Sequence, residues 1–368
     1  MIPVAAPLIT DRDRAQVNEA LLSGWISSSG KYLDLFEERW AAYCGMPHGI
    51  AVSNGSAALD LAVALLHLKP GDEVILPAFT IISPVQSVLR AGGIPVLVDS
   101  DPRSWQMNAG HIESRITPRT KAILVVHIYG HPADMDPILD IARRHDLIVI
   151  EDAAEVHGAE YKGRRCGGLG HISTFSFYAN KLVTTGEGGM VLVRSPEQAE
   201  QARSLRNLCF QKEKRFLHRE LGYNFRLTNL QAALGVSQID RIDQIVIRKR
   251  EIASAYNRLL KDVPGIHLPA EEPWAKNVYW VFGLVLEEKT GLTAAQLAER
   301  LAEREVETRP FFLGMHEQPV FQNRGLFRGE RYPVAERLAR QGLYIPSGLA
   351  LSDHQIRQVA DAVRESLS

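Results

Sequence analysis

Between residues 49 and 193 the chain alternates short apolar runs with longer amphipathic stretches. The short runs are rich in Val, Ile and Leu, which is typical of strands that are buried on both faces of a sheet. The predicted strands are Gly49–Ser53, Glu73–Leu76, Ile94–Val98, Lys121–Val126 and Leu147–Ile150. The stretches between them predict helices at Ser56–His67, Ile82–Ala91 and Met135–His145. This alternation predicts an α/β fold with a mostly parallel central sheet between helices.

The remainder of the chain predicts a second, smaller region. Two more strands are expected at Ser173–Phe177 and Met190–Val193, and Thr228–Leu260 predicts one or two long helices. Later elements are a strand and two helices with Thr293 and Ser352 as their N-caps, at Val278–Leu286, Ala294–Glu303 and Asp353–Ser366. We therefore predict a large domain at 1–245, which includes the N-terminal segment, and a C-terminal α+β domain at 246–368.

Charge and cysteine content exclude several classes of protein. The formal net charge of −1 gives no global field toward nucleic acid or an anionic membrane. The basic run Arg248–Arg250 predicts a solvated helix face, with local anion binding as the alternative. The three cysteines are far apart and form no C-x-x-C motif, so neither a disulfide framework nor a metal site is predicted. With no signal peptide or membrane span in the sequence, we expect a cytoplasmic protein.

A lysine and an aspartate carry the strongest chemical signal. Asp152 ends the apolar run before it, and Lys181 follows 29 residues later in a loop of small residues, before the Gly-rich run Thr184–Gly189. A pyridoxal 5'-phosphate (PLP) enzyme needs a carboxylate that keeps the pyridine nitrogen protonated and an amine that forms a Schiff base. Taken alone, the aspartate is equally typical of a helix cap, and the lysine is equally typical of an ordinary loop.

Three further positions suit a cofactor with a phosphate and a phenolic oxygen. The run Ser53–Leu59 follows the first strand and opens a helix, where free N–H groups and the helix dipole favour a phosphate. The alternative is an ordinary turn in which Ser56 caps the helix. Ser176 is placed to donate to the phosphate, or to pack in its strand, and Glu155 is placed to reach the phenolic oxygen, or to lie in a solvated loop. Together these residues predict a PLP site at the carboxyl ends of the strands.

The chain resembles the DegT/StrS family of PLP-dependent nucleotide-sugar aminotransferases, within fold type I of the PLP enzymes, over essentially its full length. The motifs that carry the resemblance are Gly24–Ser28, Ser53–Leu59, Gly71–Ile75, Glu151–Ala154, Ser173–Met190 and Gly222–Asn229. The resemblance implies that Lys181 forms the Schiff base, that Asp152 contacts the pyridine nitrogen, and that Ser56, Ala57 and Ser176 bind the phosphate. It also implies that Asn224 reaches the cofactor phosphate of a neighbouring subunit, which makes a homodimer necessary.

Within the family the chain is most similar to GDP-perosamine synthases, which aminate C4 of GDP-4-keto-6-deoxymannose for O-antigen and other polysaccharides. The supporting segments are Trp25–Ser28, Val98–Asp101, Trp105–Met107, His127–His131, Thr185–Met190 and Glu307–Pro310. Two positions depart from the pattern. Ile81 stands where family members usually carry an aromatic residue that stacks on the cofactor ring, and Asn207–Gln211 replaces a Gly-Gln-Gly-like run near the expected substrate contacts.

The resemblance implies transfer of an amino group from L-glutamate to a nucleotide-linked keto-sugar. Candidates for binding the nucleotide are Trp25, Ser27, Lys31, Arg309 and His316, and each basic candidate has a structural ion pair or cap as its alternative. The alternatives for the whole chain are an aminotransferase for another UDP- or dTDP-linked 3- or 4-keto sugar, a PLP sugar dehydratase, and a non-catalytic protein of this fold. Lys181 disfavours the dehydratase, because those enzymes carry His at that position. An NAD-binding Rossmann enzyme is excluded because no G-x-G-x-x-G follows the first strand.

Overall fold

The computed structural model describes residues 1–211, 214 and 216–367. Its helices are α1 (Asp11–Leu22), α2 (Lys31–Cys44), α3 (Gly55–Ala64), α4 (Ser83–Arg90), α5 (Met135–Arg144), α6 (Pro196–Arg206), α7 (Asn229–Ile239), α8 (Ile242–Leu260), α9 (Ala294–Ala302), α10 (Pro319–Gln322), α11 (Pro333–Gln341) and α12 (Asp353–Leu367). Its strands are β1 (His48–Val52), β2 (Glu73–Pro77), β3 (Ile94–Val98), β4 (Thr120–Val126), β5 (Ile148–Asp152), β6 (Glu160–Tyr161), β7 (Arg164–Arg165), β8 (Ile172–Ser176), β9 (Gly189–Val193), β10 (Ile266–His267), β11 (Ala275–Lys276), β12 (Phe282–Leu286), β13 (Arg309–Pro310) and β14 (Gly342–Ile345).

The central sheet has seven strands in the order β1-β9-β8-β5-β4-β2-β3. Strand β9 pairs antiparallel with both neighbours, and the other six run in one direction. Buried apolar side chains fill these strands, as expected of a sheet with both faces covered. The predicted mostly parallel α/β fold is therefore confirmed, and the carboxyl ends of β1, β2, β4, β5 and β8 meet at one edge.

The second region is built around a four-stranded antiparallel sheet, β10-β12-β14-β13. Helix α8 joins the two regions, since Ile245 packs in the core of the large sheet and Tyr256 in the core of the small one. The N-terminus also contributes to the small core, where Ile2 pairs with Val306. The predicted boundary at residue 245 lies inside α8, and the division into two domains stays a prediction.

Local sequence signals explain several helix starts. Thr228, Thr293 and Ser352 accept N–H bonds from the third residue that follows each of them, and Gln side chains close reciprocal capping boxes there. The long helical stretch that begins at Thr228 is two helices, separated at Asp240 and Arg241. The prediction of one strand over Val278–Leu286 was wrong in its first part, because the chain bends at residues 280 and 281 and the Val278 N–H donates to the Gly130 carbonyl.

The basic run on α8 also differs from its prediction as a solvated face. Lys249 is buried, and its Nζ lies 3.0 Å from the carbonyl oxygen of Trp280, 2.6 Å from that of Ser347 and 3.1 Å from Ser347 Oγ. The flanking Arg248 and Arg250 remain partly exposed and contact acidic side chains. The correction follows from the helical period, which turns Lys249 inward while its neighbours face solvent.

Candidate active site

Two adjacent carboxylates end β5 and point to different surroundings. Glu151 accepts hydrogen bonds from the N–H groups of Gly167, Leu169 and Gly170 and contacts His127 Nε2 at 3.1 Å. Burial opposes its ionisation, but His127 and the backbone donors hold the pKa of Glu151 below its usual value. Every oxygen of Glu151 is thus engaged in holding the loop after β7, which is a structural role.

Asp152 has far fewer partners. It is buried, and one oxygen accepts a hydrogen bond of 3.2 Å from the N–H of Ala154. Burial raises the pKa of Asp152, while the Ala154 N–H and the charge of Lys181 act in the opposite direction. A buried carboxylate with one backbone donor is stabilised by any cationic group that enters the cleft beside it.

Lys181 lies in the loop after β8 and projects toward these acids. Its Nζ is 3.9 Å from Glu155 Oε1 and 3.6 Å from the centre of the Trp280 ring. Within the described part of the chain, no hydrogen bond forms from Nζ to any acceptor. Burial lowers the pKa of Lys181, and the charges of Glu155 and Asp152 oppose that shift. The arrangement favours a nucleophilic amine that is free to change partners.

Glu155 is the carboxyl group nearest to the Lys181 amine, and a backbone N–H fixes its orientation. Its Oε2 accepts a hydrogen bond of 2.7 Å from the N–H of Tyr129, which is held at φ +57°, an unusual conformation for a residue other than glycine. Burial raises the pKa of Glu155, against the influence of Lys181 and the Tyr129 N–H. The carboxyl therefore holds its proton more readily than an ordinary Glu and can share it with a neighbouring oxygen.

The predicted phosphate residues meet where α3 begins. A Cβ on Gly55 would lie 2.6 Å from Ser176 Cβ, so only glycine lets the start of the helix approach the end of β8. Ser56 Oγ lies 2.9 Å from the hydroxyl of Ser83 at the start of α4. The alternative in which Ser56 caps the helix was wrong, because Asn54 is the N-cap and accepts the Ala57 N–H at 2.8 Å.

The other predicted residues lie elsewhere. Asn224 is exposed and pairs with Asn207 beside the loop that departs from the family pattern. Trp25 and Ser27 are exposed, and their carbonyl oxygens accept hydrogen bonds from Asn229. Lys31 is exposed and forms an ion pair with Glu19. Trp25, Ser27 and Lys31 lie together at the start of α2. No contact in the described chain joins them, or Asn224, to Lys181.

The two candidates after residue 300 have structural partners. Arg309 is exposed and its guanidinium lies 2.6 Å from Glu307. His316 is buried, and its Nε2 lies 3.2 Å from Glu336 on α11. That placement matches the structural alternative left open by the sequence, since a buried imidazole beside a carboxylate offers no exposed face to a nucleotide.

Several neighbours of Lys181 were missed. Tyr129 contacts Glu155, and Trp280 contacts Lys181. His157 is a buried imidazole, and its Nδ1 accepts a hydrogen bond of 3.3 Å from the N–H of Val183, the second residue after the lysine. Burial lowers the pKa of His157 to about 3, so it is neutral. His157 follows Asp152 by five residues in the same motif, a signal that was available; Trp280 offered none, because it lies 99 residues from Lys181.

These residues fit PLP. Among the described residues, Asp152 has no cationic hydrogen-bonding partner and the Lys181 amine forms no hydrogen bond. The Gly55–Ser176 contact aligns a helix start with two serine hydroxyls for a phosphate. No group of three or more His, Cys, Asp or Glu residues suited to a metal occurs among the described residues. No helix in that same part of the chain is both long and apolar enough to pass through a bilayer.

Comparisons with known proteins identify the family of the chain. Residues 7–364 match the model of the DegT/DnrJ/EryC1/StrS aminotransferase family. The chain is 38% identical over 367 residues to the GDP-perosamine synthase of Escherichia coli O157:H7, a match that covers 100% of this chain and 99% of that protein. It is 39% identical over 367 residues to the GDP-perosamine synthase of Caulobacter vibrioides, with 100% and 98% covered.

Solved structures give the same result. The aminotransferase TlmJ from Streptoalloteichus hindustanus superimposes with a TM-score of 0.93 at 31% identity, covering 100% of this chain and 99% of that one. Both the sequence match and the structural match extend over nearly the whole chain, and the predicted family and fold are confirmed. The chain belongs to the DegT/DnrJ/EryC1/StrS family of PLP-dependent aminotransferases.

Proposed function

We propose that the protein transfers an amino group from L-glutamate to C4 of GDP-4-keto-6-deoxymannose, giving GDP-perosamine. The observation that carries the sugar is the similarity, at 35 to 39% identity over almost the full chain, to three proteins named GDP-perosamine synthase. The observation that carries the chemistry is the meeting of Lys181, Asp152 and Glu155 at the carboxyl edge of the sheet. The product is a precursor of polysaccharide.

The residues divide the work by position. PLP, when bound, supplies an electron sink that allows a C–H bond next to nitrogen to break with loss of a proton. Lys181 Nζ would hold the cofactor and, as a free amine, would accept that proton and return it to a neighbouring carbon. The buried carboxylate of Asp152 would keep the pyridine nitrogen protonated. Glu155 would face the phenolic oxygen, where its raised pKa suits a shared proton.

The remaining assignments complete the site. Ser56, Ala57 and Ser176 bind the phosphate at the start of α3, where helix N–H groups and the dipole favour an anion. Asn224, which is exposed, reaches the cofactor of a second copy, so the active form is a homodimer. Trp25, Ser27, Lys31 and Arg309 are exposed and available to a nucleotide diphosphate. Sedimentation of the loaded protein as a monomer at working concentration would contradict the shared site.

Borohydride reduction of the loaded protein, followed by peptide mass spectrometry, tests the chemistry. The pyridoxyl group is expected on Lys181, and a tag on any other lysine would overturn the assignment. A panel of nucleotide-linked 3-keto and 4-keto sugars with L-glutamate then tests the substrate. A relative named dTDP-3-amino-3,4,6-trideoxy-alpha-D-glucose transaminase is 37% identical over 359 residues, so a dTDP-linked 3-keto sugar is the second candidate. Turnover of that sugar alone would make it the substrate in place of GDP-4-keto-6-deoxymannose, and the assignment as an aminotransferase would stand.

A further inference from the structure

The Trp280 ring lies directly against the reactive amine. The Nζ of Lys181 is 3.6 Å from the ring centre, well inside the range of a cation–π contact. The indole Nε1 donates a hydrogen bond of 2.9 Å to the carbonyl oxygen of Asn180, the residue before the lysine. Trp280 is 7% exposed, so both contacts are shielded from water. One side chain therefore contacts both the amine of Lys181 and the backbone that carries it.

The backbone of Trp280 is fixed from two sides. Lys249, on α8, donates a hydrogen bond of 3.0 Å to its carbonyl oxygen and a second of 2.6 Å to the carbonyl oxygen of Ser347. On the other side, the Val278 N–H donates to the Gly130 carbonyl at 3.0 Å. A Cβ on Gly130 would overlap the Trp280 backbone nitrogen, so the close approach requires glycine. The indole is held by a rigid frame and not by a mobile loop.

We propose that Trp280 is a positioning residue that holds the Lys181 ammonium in place whenever the amine is not bonded to cofactor, and that Lys249 holds Trp280. This inference rests on the proposed role of Lys181. An aromatic face attracts an ammonium but cannot accept its proton. The indole therefore holds the ammonium without competing for its proton, whereas a hydrogen-bonded carboxylate would compete for it.

The charge of Lys181 is set by several groups around it. The acids Asp152 and Glu155 favour the ammonium from the end of β5, and burial disfavours it. His157 is neutral, while Lys249 and Arg241 line the same pocket as Lys181, from α8 and the turn before it. Against this background the indole face adds a favourable contribution to the ammonium form. Its removal should therefore lower the pKa of Lys181.

The test measures that pKa in the full-length protein from which cofactor has been removed. An amine-reactive acetylating reagent is applied across a pH series, and the labelled fraction of the Lys181 peptide is measured by mass spectrometry. In Trp280→Leu the midpoint of labelling is expected to fall by about one pH unit, the size of a desolvated cation–π contact. Trp274→Leu, a half-buried tryptophan that contacts His131 and Tyr161, is the matched control and should leave the midpoint unchanged.

A second measurement keeps the shape of the site. The chain has five tryptophans, and replacing them all with fluorinated tryptophan weakens the ring face without removing the indole N–H. The midpoint should fall stepwise with the number of fluorine atoms, and Trp280→Phe protein grown with the same analogues should show no dependence on fluorine. An unchanged or raised midpoint in Trp280→Leu, or the same midpoint with every analogue, would overturn the proposal.

The same data separate this inference from the proposed function. If borohydride places the cofactor on another lysine, the function fails, while the labelling shift still reports the contact between the indole and Lys181. If borohydride confirms Lys181 and the midpoint does not move, the function stands and the role of Trp280 fails. Lys249→Met should reproduce part of the Trp280→Leu shift, because it frees the Trp280 backbone; no shift in this variant would overturn the supporting role of Lys249.

Discussion

Two buried lysines, Lys181 and Lys249, are 68 residues apart in the sequence but both contact Trp280, and they show how surroundings decide what an amine does. Around Lys249 there are two carbonyl oxygens and one hydroxyl, all within hydrogen-bonding distance. Around Lys181 there are carboxylates, the nearest at 3.9 Å, and an aromatic face. The Lys249 amine has three hydrogen-bonding partners. The Lys181 amine is attracted by several groups but forms no hydrogen bond with any described residue. A reactive lysine is thus marked by unused hydrogen-bonding capacity and not by burial alone.

Replacing each lysine in turn by methionine should give the largest difference between the two sites. In Lys181→Met the rate of amino transfer should fall by roughly 10³-fold or more, because the group that moves the proton is gone. Its free energy of unfolding should change little, since no hydrogen bond is lost. Lys249→Met should lower the free energy of unfolding by about 3 kcal/mol, because two buried carbonyl oxygens lose their donor.

Initial rates of amino transfer and urea unfolding of both variants provide the measurements. The partly exposed Lys276, which forms an ion pair with Glu160 at 2.9 Å, supplies the control, and Lys276→Met should change neither quantity appreciably. Equal losses of activity and stability in both lysine variants would contradict the division of roles. A stable Lys249→Met protein would show that its three contacts are weaker than their geometry indicates.

The stability of the folded protein should depend on pH through Lys249. Burial lowers the pKa of Lys249 to about 7, and a neutral amine can still donate to the carbonyl oxygens of Trp280 and Ser347. Between pH 7 and the ordinary lysine pKa, the unfolded chain therefore binds a proton that the folded chain does not. Stability from this group rises with pH across that window, by about 1.4 kcal/mol per pH unit.

Unfolding by urea at pH 7, 8 and 9 measures this dependence, with Lys249→Met as the reference that lacks the titrating group. The difference in unfolding free energy between the parent protein and the variant should widen as pH increases. A difference that stays constant or narrows would show that Lys249 remains charged in the folded protein.

The two lysines also differ in how well the sequence predicted them. Lys181 was found because its loop follows Asp152 at a short separation and both lie next to strong strand patterns. Lys249 was assigned to a solvated face because its neighbours are arginines. Its spacing from Ile245 and Ile252, four residues after one and three before the other, placed it on the buried stripe of α8. The charge of the segment outweighed its period in the interpretation, and the period was the better guide.

Trp280 could not be predicted in the same way. Its residue type and apolar neighbours are typical of a strand, and its partners come from the loop after β8, from α8 and from the loop after β4. Contacts of this kind depend on how the two regions pack, which no local pattern encodes. The strands of the large sheet and the start of α3 were accessible because they depend on periodicity and on local turn residues. The aromatic lining depended on tertiary structure.

The smallest expected effect concerns Ile81, where the family pattern calls for an aromatic residue. Ile81 follows β2 at the carboxyl edge of the sheet and is 43% exposed, so the position has room for a larger side chain. Ile81→Phe should tighten PLP binding by up to about tenfold, the free energy typical of an aromatic stacking contact. Absorbance titration of the cofactor-free protein with PLP measures this, with Ile26→Phe, an exposed isoleucine in the loop before α2, as the control. Unchanged or weaker binding in Ile81→Phe would mean that the cofactor ring is already packed by other residues and that the isoleucine is no defect of the site.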